Sequence, residues 1–315
     1  MTIIDGSTVR RNALRSVSNG RWQRIVGESP ELLEGIRERY GANLAATTAA
    51  PSPHDTFSYI PVSFIETTDG SYRENRIVIA VNEHVVLTLE PTDSCAPLDM
   101  AVARMERDGR DDDHPYEIAA SLLQAIADAT DSLVSRLGDG TEKMMIQTNA
   151  ILRSLETKKA QDFGVSDVTM TQQELADMEE LLSYCMESEL VLAEGARQLR
   201  AASRIRGIES RTDFARLIED IEAVEQHVEF VHDRVRLLQQ TNNLALNVKQ
   251  NQIIKVFSVV TAVFLPVMLL STYYSMNFEF MPILTWPLAE PLIIVLSFIF
   301  AMLPLIYVRR RGWLR

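Results

Sequence analysis

Two long stretches without a charged residue lie near the C-terminus of this 315-residue chain. The first runs from Val256 to Phe278, and the second runs from Pro291 to Val308. At a rise of 1.5 Å per residue, a helix of about 20 apolar residues crosses the roughly 30 Å hydrocarbon core of a bilayer. Soluble helices of this length normally carry a charged stripe, which both stretches lack. The sequence therefore predicts two membrane-spanning helices.

The charges that flank these stretches predict their orientation. Lys249 and Lys255 precede the first stretch, and the run Arg309–Arg311 follows the second. The loop between them has no basic residue and contains Glu279 and Glu290. The positive-inside rule then places both termini in the cytoplasm, in a multi-pass protein of the inner or plasma membrane. The first residues contain no apolar run that would make a signal peptide.

The rest of the chain is acidic. The whole sequence has 31 Lys+Arg and 43 Asp+Glu, a formal net charge of −12. Residues 251–315 hold five of the basic and two of the acidic residues, so residues 1–250 carry a net charge of −15. This balance argues against nucleic-acid binding. No P-loop, GxGxxG or nucleophile–base motif is present, so neither a nucleotide cofactor nor an enzyme is predicted.

A long helix is predicted to lead into the first stretch. No Gly or Pro occurs from Ile208 to Leu265, which corresponds to about 87 Å of helix. Apolar residues recur there at alternating spacings of four and three, the pattern of a coiled-coil seam. The partner of this seam is either the chain's own cytoplasmic domain or further copies of the same helix. The seam residues are Leu217, Ile221, Val224, Val228, Val231, Val235 and Leu238.

The upstream region reads as mixed α and β structure. Ser29 and Pro30 begin a short helix that Gly41 ends. Three β-branched or alternating segments predict strands, and Asn82-Glu83 predicts a hairpin between the last two. Amphipathic spacing predicts three longer helices before the break at Gly207. The predicted strands are Phe57–Ile65, Arg76–Val81 and Val85–Leu89, and the helices are Tyr116–Leu137, Glu142–Asp162 and Gln172–Arg200.

The end of the first stretch reads Thr-Tyr-Tyr-Ser-Met-Asn-Phe-Glu-Phe-Met-Pro, from Thr272 to Pro282. Together with the second stretch and its Arg-Arg-Arg-Gly-Trp-Leu-Arg tail, this segment resembles the CorA family of magnesium and cobalt transporters. The family carries Gly-Met-Asn where this chain has Ser275-Met276-Asn277. Serine restricts the backbone more than glycine does and adds a hydroxyl oxygen. The resemblance is residue by residue over about 240–315 and concerns layout elsewhere.

This resemblance implies an α+β cytoplasmic domain, arranged as an α/β/α sandwich, with a very long stalk helix and two C-terminal transmembrane helices. The implied parts divide the chain as follows: 1–205 is the cytoplasmic α/β domain with a helical hairpin, 206–252 the cytoplasmic stalk, 253–276 the pore-lining first span, 277–290 the extracytoplasmic loop, 291–308 the second span, and 309–315 a basic cytoplasmic tail.

The resemblance also implies a function and its residues. It implies a homopentameric channel for Mg2+ uptake, with Co2+ and Ni2+ as further ions, driven by the membrane potential and gated by intracellular Mg2+. Ser275, Met276 and Asn277 would form the selective entrance, with Glu279 in the outer loop. Positions three and four apart below them would line the pore, with Ile254 and Leu265 as the apolar gate: Asn251, Ile254, Ser258, Thr261, Leu265, Met268 and Thr272.

Regulatory Mg2+ sites would use cytoplasmic carboxylates, for which Asp111, Asp112, Asp113, Asp213 and Asp220 are candidates. Two alternatives stay open at this level. One is zinc transport by the branch that shares this architecture. The other is a two-span scaffold that oligomerises without transporting an ion. The sequence does not decide which divalent cation is preferred.

Overall fold

The computed structural model describes residues 14–27, 29–44, 56–68, 71–91, 95–109, 113–156, 165–208, 213–276 and 286–310. It divides into two units, of which the first comprises Met1–Ile146 with Gln172–Gln239 and the second Gln147–Thr171 with Gln240–Arg315. The elements in chain order are β1 Leu14–Val17, β2 Trp22–Val26, α1 Pro30–Tyr40, β3 Ser58–Thr68, β4 Ser71–Val81, β5 Val86–Glu90, α2 Ala96–Asp108, α3 Pro115–Glu156, α4 Val165–Ile205, α5 Phe214–Ser275 and α6 Ala289–Arg310.

The first unit contains a five-stranded mixed sheet in the order β1-β2-β5-β4-β3. Strands β3, β4 and β5 are antiparallel neighbours, whereas β2 and β5 run parallel. Asn82 forms the turn between β4 and β5, because its side-chain oxygen accepts hydrogen bonds from the backbone N–H groups of His84 and Val85, both at 2.8 Å. The three predicted strands and the predicted hairpin are therefore confirmed.

The sheet is covered on both faces. On β3, Ile60, Val62 and Phe64 point to one face and join a buried cluster with residues of α2, α3, α4 and α5. Tyr59 points to the other face and joins a cluster with Ile36 of α1. This alternation is the two-residue period of a strand. The predicted α/β/α arrangement is confirmed.

Helix α1 begins and ends where the sequence predicts. The Oγ of Ser29 accepts a hydrogen bond from the N–H of Leu32 at 3.3 Å, which satisfies one of the free donors of the first turn. Gly41 ends the helix in the left-handed conformation, with φ of +76°.

Strand β2 was not predicted, because it buries a charged residue. The guanidinium of Arg24 is 5% exposed and forms two hydrogen bonds with the carboxylate of Glu90 on β5, at 2.9 and 2.6 Å. It also contacts Asp99 of α2 at 2.5 Å. A buried charge is tolerated when it is paired and hydrogen-bonded in this way. Because this ion pair places charged residues in the core, the sequence of β2 lacks the apolar pattern of a buried strand.

The predicted break between residues 137 and 142 is wrong, because α3 continues to Glu156. Gly138 and Gly140 lie inside this helix, where glycine usually weakens the structure. A Cβ at Gly138 would lie 3.5 Å from Val231 of α5, and a Cβ at Gly140 would lie 3.3 Å from Met178 of α4. The glycines therefore allow close packing between helices and do not end one.

The long helix α5 begins at Phe214, later than the sequence predicts, and continues beyond Pro266 to Ser275. Its predicted seam is buried inside the first unit. Ile221, Val228 and Val235 are completely buried there among residues of the chain's own sheet and helices. Of the two partners that the sequence left open, the structure shows the chain's own domain.

We expect Gly195→Ala on α4 to destabilise the protein. A Cβ at Gly195 would overlap Cγ2 of Ile60 on β3, and overpacking of this kind costs about 1–3 kcal/mol. In the matched control Gly35→Ala, no atom lies within 4 Å of the new methyl group, so helix propensity should stabilise α1 by about 0.5–1 kcal/mol. Thermal unfolding of both purified variants should show opposite shifts, and equal shifts would contradict this packing.

Candidate functional site

Both α5 and α6 contain a segment that is long and apolar enough to cross a membrane. Large apolar side chains are exposed on both segments. Phe264 and Leu269 of α5 are 61% and 72% exposed, and Phe298 of α6 is 68% exposed. A contiguous apolar surface of this kind calls for lipid or further protein around it. These segments are the predicted spans.

One face of the first span is partly covered within the chain. The half-buried residues on this part of α5 recur at spacings of three and four, as they do on a packed helix face. Those of α6 recur in the same way. The half-buried residues of α5 are Val259, Val263, Pro266, Val267, Leu270 and Tyr274, and those of α6 are Ile293, Leu296, Ser297, Ala301 and Pro304.

The predicted pore positions lie on a different face of α5. Ile254, Ser258, Thr261, Leu265, Met268 and Thr272 are all exposed. At 100° per residue, the mean direction of these six is about 170° away from that of the covered face. The half-buried face is almost wholly apolar, whereas the exposed face also carries the hydroxyls of Ser258, Thr261 and Thr272. Because the half-buried residues lie on the opposite face, the predicted pore face stays exposed.

Two hydroxyl groups on this face donate hydrogen bonds to backbone carbonyls of the same helix. The hydroxyl of Ser258 donates to the carbonyl of Ile254 at 2.8 Å, and that of Thr261 donates to the carbonyl of Phe257 at 2.9 Å. A hydroxyl oxygen keeps acceptor lone pairs after it has donated. Both oxygens can therefore accept hydrogen bonds from water, including water that surrounds a cation.

The first span ends at Ser275. The Oγ of Ser275 donates to the carbonyl of Thr272 at 3.0 Å, and the N–H of Met276 donates to the carbonyl of Tyr273 at 3.4 Å. Among the described residues, Ser18 and Asn19 are the non-glycine residues with a positive φ, so Ser275 needs no glycine-like backbone here. Asn277 and Glu279 lie outside the described residues.

A second exposed pattern extends along α5 before the span. Phe230, Leu237 and Leu244 are 61%, 56% and 56% exposed and are seven residues apart. Asn251 and Ser258 continue the same spacing towards the pore face. A seven-residue repeat drifts by about 20° per heptad on a straight helix, and a left-handed supercoil removes that drift. We call Phe230, Leu237 and Leu244 the exposed stripe.

The structure describes three of the candidate regulatory aspartates, and each has different surroundings. The Oδ1 of Asp213 accepts hydrogen bonds from the N–H groups of Ala215 and Arg216, so this residue caps α5. Asp220 is exposed. The backbone carbonyl of Asp113 accepts a hydrogen bond from Arg21 at 3.0 Å.

Asp111 and Asp112 lie outside the described residues. In the parts of the chain that the structure describes, no group of three or more His, Cys, Asp or Glu side chains could hold a metal ion. Among the described residues, the structure therefore does not bring Asp113, Asp213 and Asp220 together in such a group.

The profile of the family described as CorA-like Mg2+ transporter protein matches residues 21–310. The chain belongs to the CorA family. This membership confirms the resemblance that the residues around Ser275-Met276-Asn277 predict, although it does not test the serine variant itself. The family is one of membrane transporters, in agreement with the two apolar C-terminal helices.

Several curated relatives are similar to this chain. The magnesium transport protein CorA of Yersinia pseudotuberculosis is 32% identical over 200 residues, which are 62% of this chain and 61% of that protein. The CorA protein of Haemophilus ducreyi is 30% identical over 212 residues, which are 67% and 63% of the two chains. The chain thus matches about three fifths of the length of these relatives.

Two solved structures share the fold. The CorA magnesium transporter of Methanocaldococcus jannaschii superimposes with a TM-score of 0.63 at 16% identity, covering 95% of this chain and 93% of that one. The full-length CmaX protein superimposes with a TM-score of 0.61 at 15% identity, covering 93% and 88%. Both confirm a mixed α/β domain joined to a long helix and a second apolar helix.

We expect Asp213→Ala to lower the stability of the protein by about 1 kcal/mol, since it removes the cap of α5. Asp220→Ala serves as the matched control, because Asp220 is an exposed acid two turns further along the same helix and should change stability little. Thermal unfolding should be measured with EDTA and with Mg2+. An effect of Asp213→Ala that appears with Mg2+ alone would contradict the capping role and indicate a metal ligand.

Proposed function

We propose that this protein is a channel for divalent metal cations, with Mg2+ as its principal ion. The observation that carries the proposal is the exposed face of the first span, which alternates hydroxyl oxygens with apolar side chains and lies opposite the half-buried face of the same helix. Family membership and the names of the similar CorA proteins support the choice of ion.

The proposed assembly is a homopentamer in which five copies of α5 surround the ion path. The buried seam does not support this number, because the chain's own domain occupies it. The exposed stripe and the exposed pore face support an assembly instead, since both leave large apolar side chains exposed along one helix. We also propose the division into domain, stalk, spans, loop and tail that the resemblance implies.

Ion selection is proposed to occur at Asn277. Mg2+ sheds its water reluctantly and prefers oxygen ligands. A ring of neutral amide oxygens would hold the hydrated ion through its waters, without the tight binding that a ring of carboxylates would give. Ser275 would support this ring indirectly, because its hydroxyl donates to the carbonyl of Thr272 at the end of the helix.

Below the entrance, the ion would pass alternating rings. Thr272, Thr261 and Ser258 would offer oxygens to the hydration shell, and Asn251 would form the inner polar ring. Met268, Leu265 and Ile254 would narrow the path, and apolar constrictions of this kind can close a pore by excluding water. Leu265 and Ile254 are the proposed gate.

The membrane potential would drive uptake. One elementary charge gains about 2.3 kcal/mol per 100 mV, so a divalent ion gains roughly twice that amount. With both termini in the cytoplasm, the acidic region of residues 1–250 would attract cations at the inner end. Closure by intracellular Mg2+, bound by carboxylates of neighbouring chains, belongs to the same proposal.

The residues of the first span favour Mg2+ over zinc. From Val256 to Phe278 the sequence contains neither histidine nor cysteine, the ligands that zinc binds most often. Uptake of Mg2+, Co2+, Ni2+ and Zn2+ by liposomes containing the purified protein would order these ions. Tight vesicles that take up none of them would contradict the channel and favour the two-span scaffold.

We expect Asn277→Ala to abolish Mg2+ uptake or broaden its selectivity, with folding retained. The matched control Ser271→Ala removes a polar group that lies about 100° around the helix from Thr272, and should leave uptake unchanged. Ser275→Gly should retain uptake, because the hydroxyl of Ser275 acts on Thr272 and is not required by the hydrated ion. Uptake and selectivity of Asn277→Ala equal to those of the wild type would exclude the proposed entrance.

A further inference from the structure

The helices of the first unit bury a glutamate between two apolar clusters. Glu189 of α4 is 0% exposed. On one side lie Leu192 and Ala193 of the cluster that covers the sheet, and on the other side lie Leu182 and Cys185 of a second cluster between the helices. The carboxyl group therefore occupies a polar layer between two cores.

The same division occurs on the neighbouring helices. On α3, Thr130 separates Ile126 of the first cluster from Leu133 of the second. On α5, Glu225 lies between Ile221 and Val228, which belong to the first and second clusters respectively. Since all three helices change from one cluster to the other at this level, the polar layer is a feature of the packing and not of one residue.

Among the described residues, the charged groups that act on Glu189 include no positive one. Neither oxygen of the Glu189 carboxyl group has a hydrogen-bond partner among the described residues. The hydroxyl of Thr130 lies beside the carboxyl group and donates its proton to the carbonyl of Ile126 at 3.2 Å. The charges that act on Glu189 are the carboxylates of Glu225 and Asp131. His227 is engaged with Asp131, with 2.7 Å between its Nδ1 and the carboxylate Oδ1.

These surroundings favour the neutral acid. Burial is the main cause that raises the pKa of Glu189, from 4.5 to about 8, and the negative charges of Glu225 and Asp131 add to it. The thiol of Cys185, one turn earlier on α4, is also neutral in this range, because burial raises its pKa to about 12. Near neutral pH the packed layer therefore contains a proton on Glu189.

We propose that the proton on Glu189 holds α3, α4 and α5 together, so that this layer acts as a pH-sensitive clamp on the long helix. Ionisation places a negative charge between two apolar clusters and beside two other carboxylates. Separation of the helices lets water reach that charge. The clamp therefore loosens as Glu189 loses its proton.

The direction of the effect follows from the two protonation states. In the opened layer Glu189 has its ordinary pKa of 4.5, whereas in the closed layer its pKa is about 8. The closed form binds more protons between these values, so closing is favoured most below pH 4.5 and weakens as the pH rises towards 8. Within this window, the equilibrium constant for opening should rise by up to tenfold per pH unit.

The helix that is clamped here is also the helix that enters the membrane. If α5 lines a pore, as the proposed function holds, loosening of the layer would change how the cytoplasmic domain holds the pore helix. That consequence rests on the proposed function. The clamp itself does not, because it is a property of the first unit.

Hydrogen exchange of the full-length protein, measured by mass spectrometry between pH 5.5 and 8.5, tests the clamp. The exchange rates are first corrected for the intrinsic pH dependence of exchange. In the wild type, the equilibrium constant for opening, measured on the peptides that cover Thr130, Glu189 and Glu225, should then rise by up to tenfold per pH unit. Glu189→Gln should remove this dependence, because the amide has the same shape and does not ionise.

Matched controls separate Glu189 from its neighbours. Glu187→Gln changes an exposed acid on the same helix and should behave as the wild type. His227→Gln removes the partner of Asp131, and the equilibrium constant for opening should still rise between pH 7 and 8 in this variant. A wild-type pH dependence in Glu189→Gln, or its loss in Glu187→Gln, would overturn the proposal.

Infrared spectroscopy provides a measurement that needs no variant. The carbonyl band of a protonated carboxylic acid should persist in the wild-type protein at pH 7, fall to about half its intensity near pH 8 and disappear above pH 9. Absence of that band at pH 7 would also overturn the proposal. A protein that shows the pH-dependent exchange but no Mg2+ uptake would contradict the proposed function and leave the clamp intact.

Discussion

The burial of one side of α5 is the constraint on which the rest of the structure depends. In the first unit, residues such as Ile221, Val228 and Val235 are sealed against the chain's own sheet and helices. In the second unit, residues from Val259 to Tyr274 are partly covered while the opposite face stays open. Most of the stability of a helix in a protein comes from the packing of one face, and α5 extends over 62 residues. What remains exposed on α5 is therefore the surface available to other molecules.

This division explains how an acidic domain can be joined to a membrane segment by one helix. The Arg24–Glu90 pair and the two-faced sheet give the domain its own core, independent of the membrane. The apolar surface of the spans has no equivalent core within one chain, since Phe264, Leu269 and Phe298 remain exposed. Lipid or further protein must cover that part, whereas the domain has its own buried core.

Much of this architecture could be predicted from the sequence, because its patterns are long and periodic. Both apolar helices, the seam, the helix from Pro30 and the strands β3 to β5 follow from hydrophobic spacing and end signals. Strand β2 was missed because Arg24 interrupts its apolar pattern and is compensated by distant residues. The break predicted near Gly138 failed because helix contacts, and not local propensity, decide the role of that glycine.

The candidate site could be predicted to a lesser extent. Spacing and the alternation of polar with apolar residues predicted a pore face, whereas the partial burial of Val263 and Leu270 on the opposite face is visible in the structure alone. The sequence made Asp213 a candidate metal ligand, whereas in the structure its carboxylate caps a helix. The buried Glu189 gave no sequence signal, since its surroundings come from three helices that are far apart in the chain.

Disulfide formation between chains tests most directly whether the free face of the first span surrounds a common axis. Leu265→Cys places a thiol on the free face, and Val263→Cys places one on the covered face. The native Cys95 and Cys185 are buried, so the wild type should give little background. Mild oxidation in the membrane should join chains through position 265 and not through position 263. Joining through position 263 alone would place the opposite face at the axis and contradict the proposed pore.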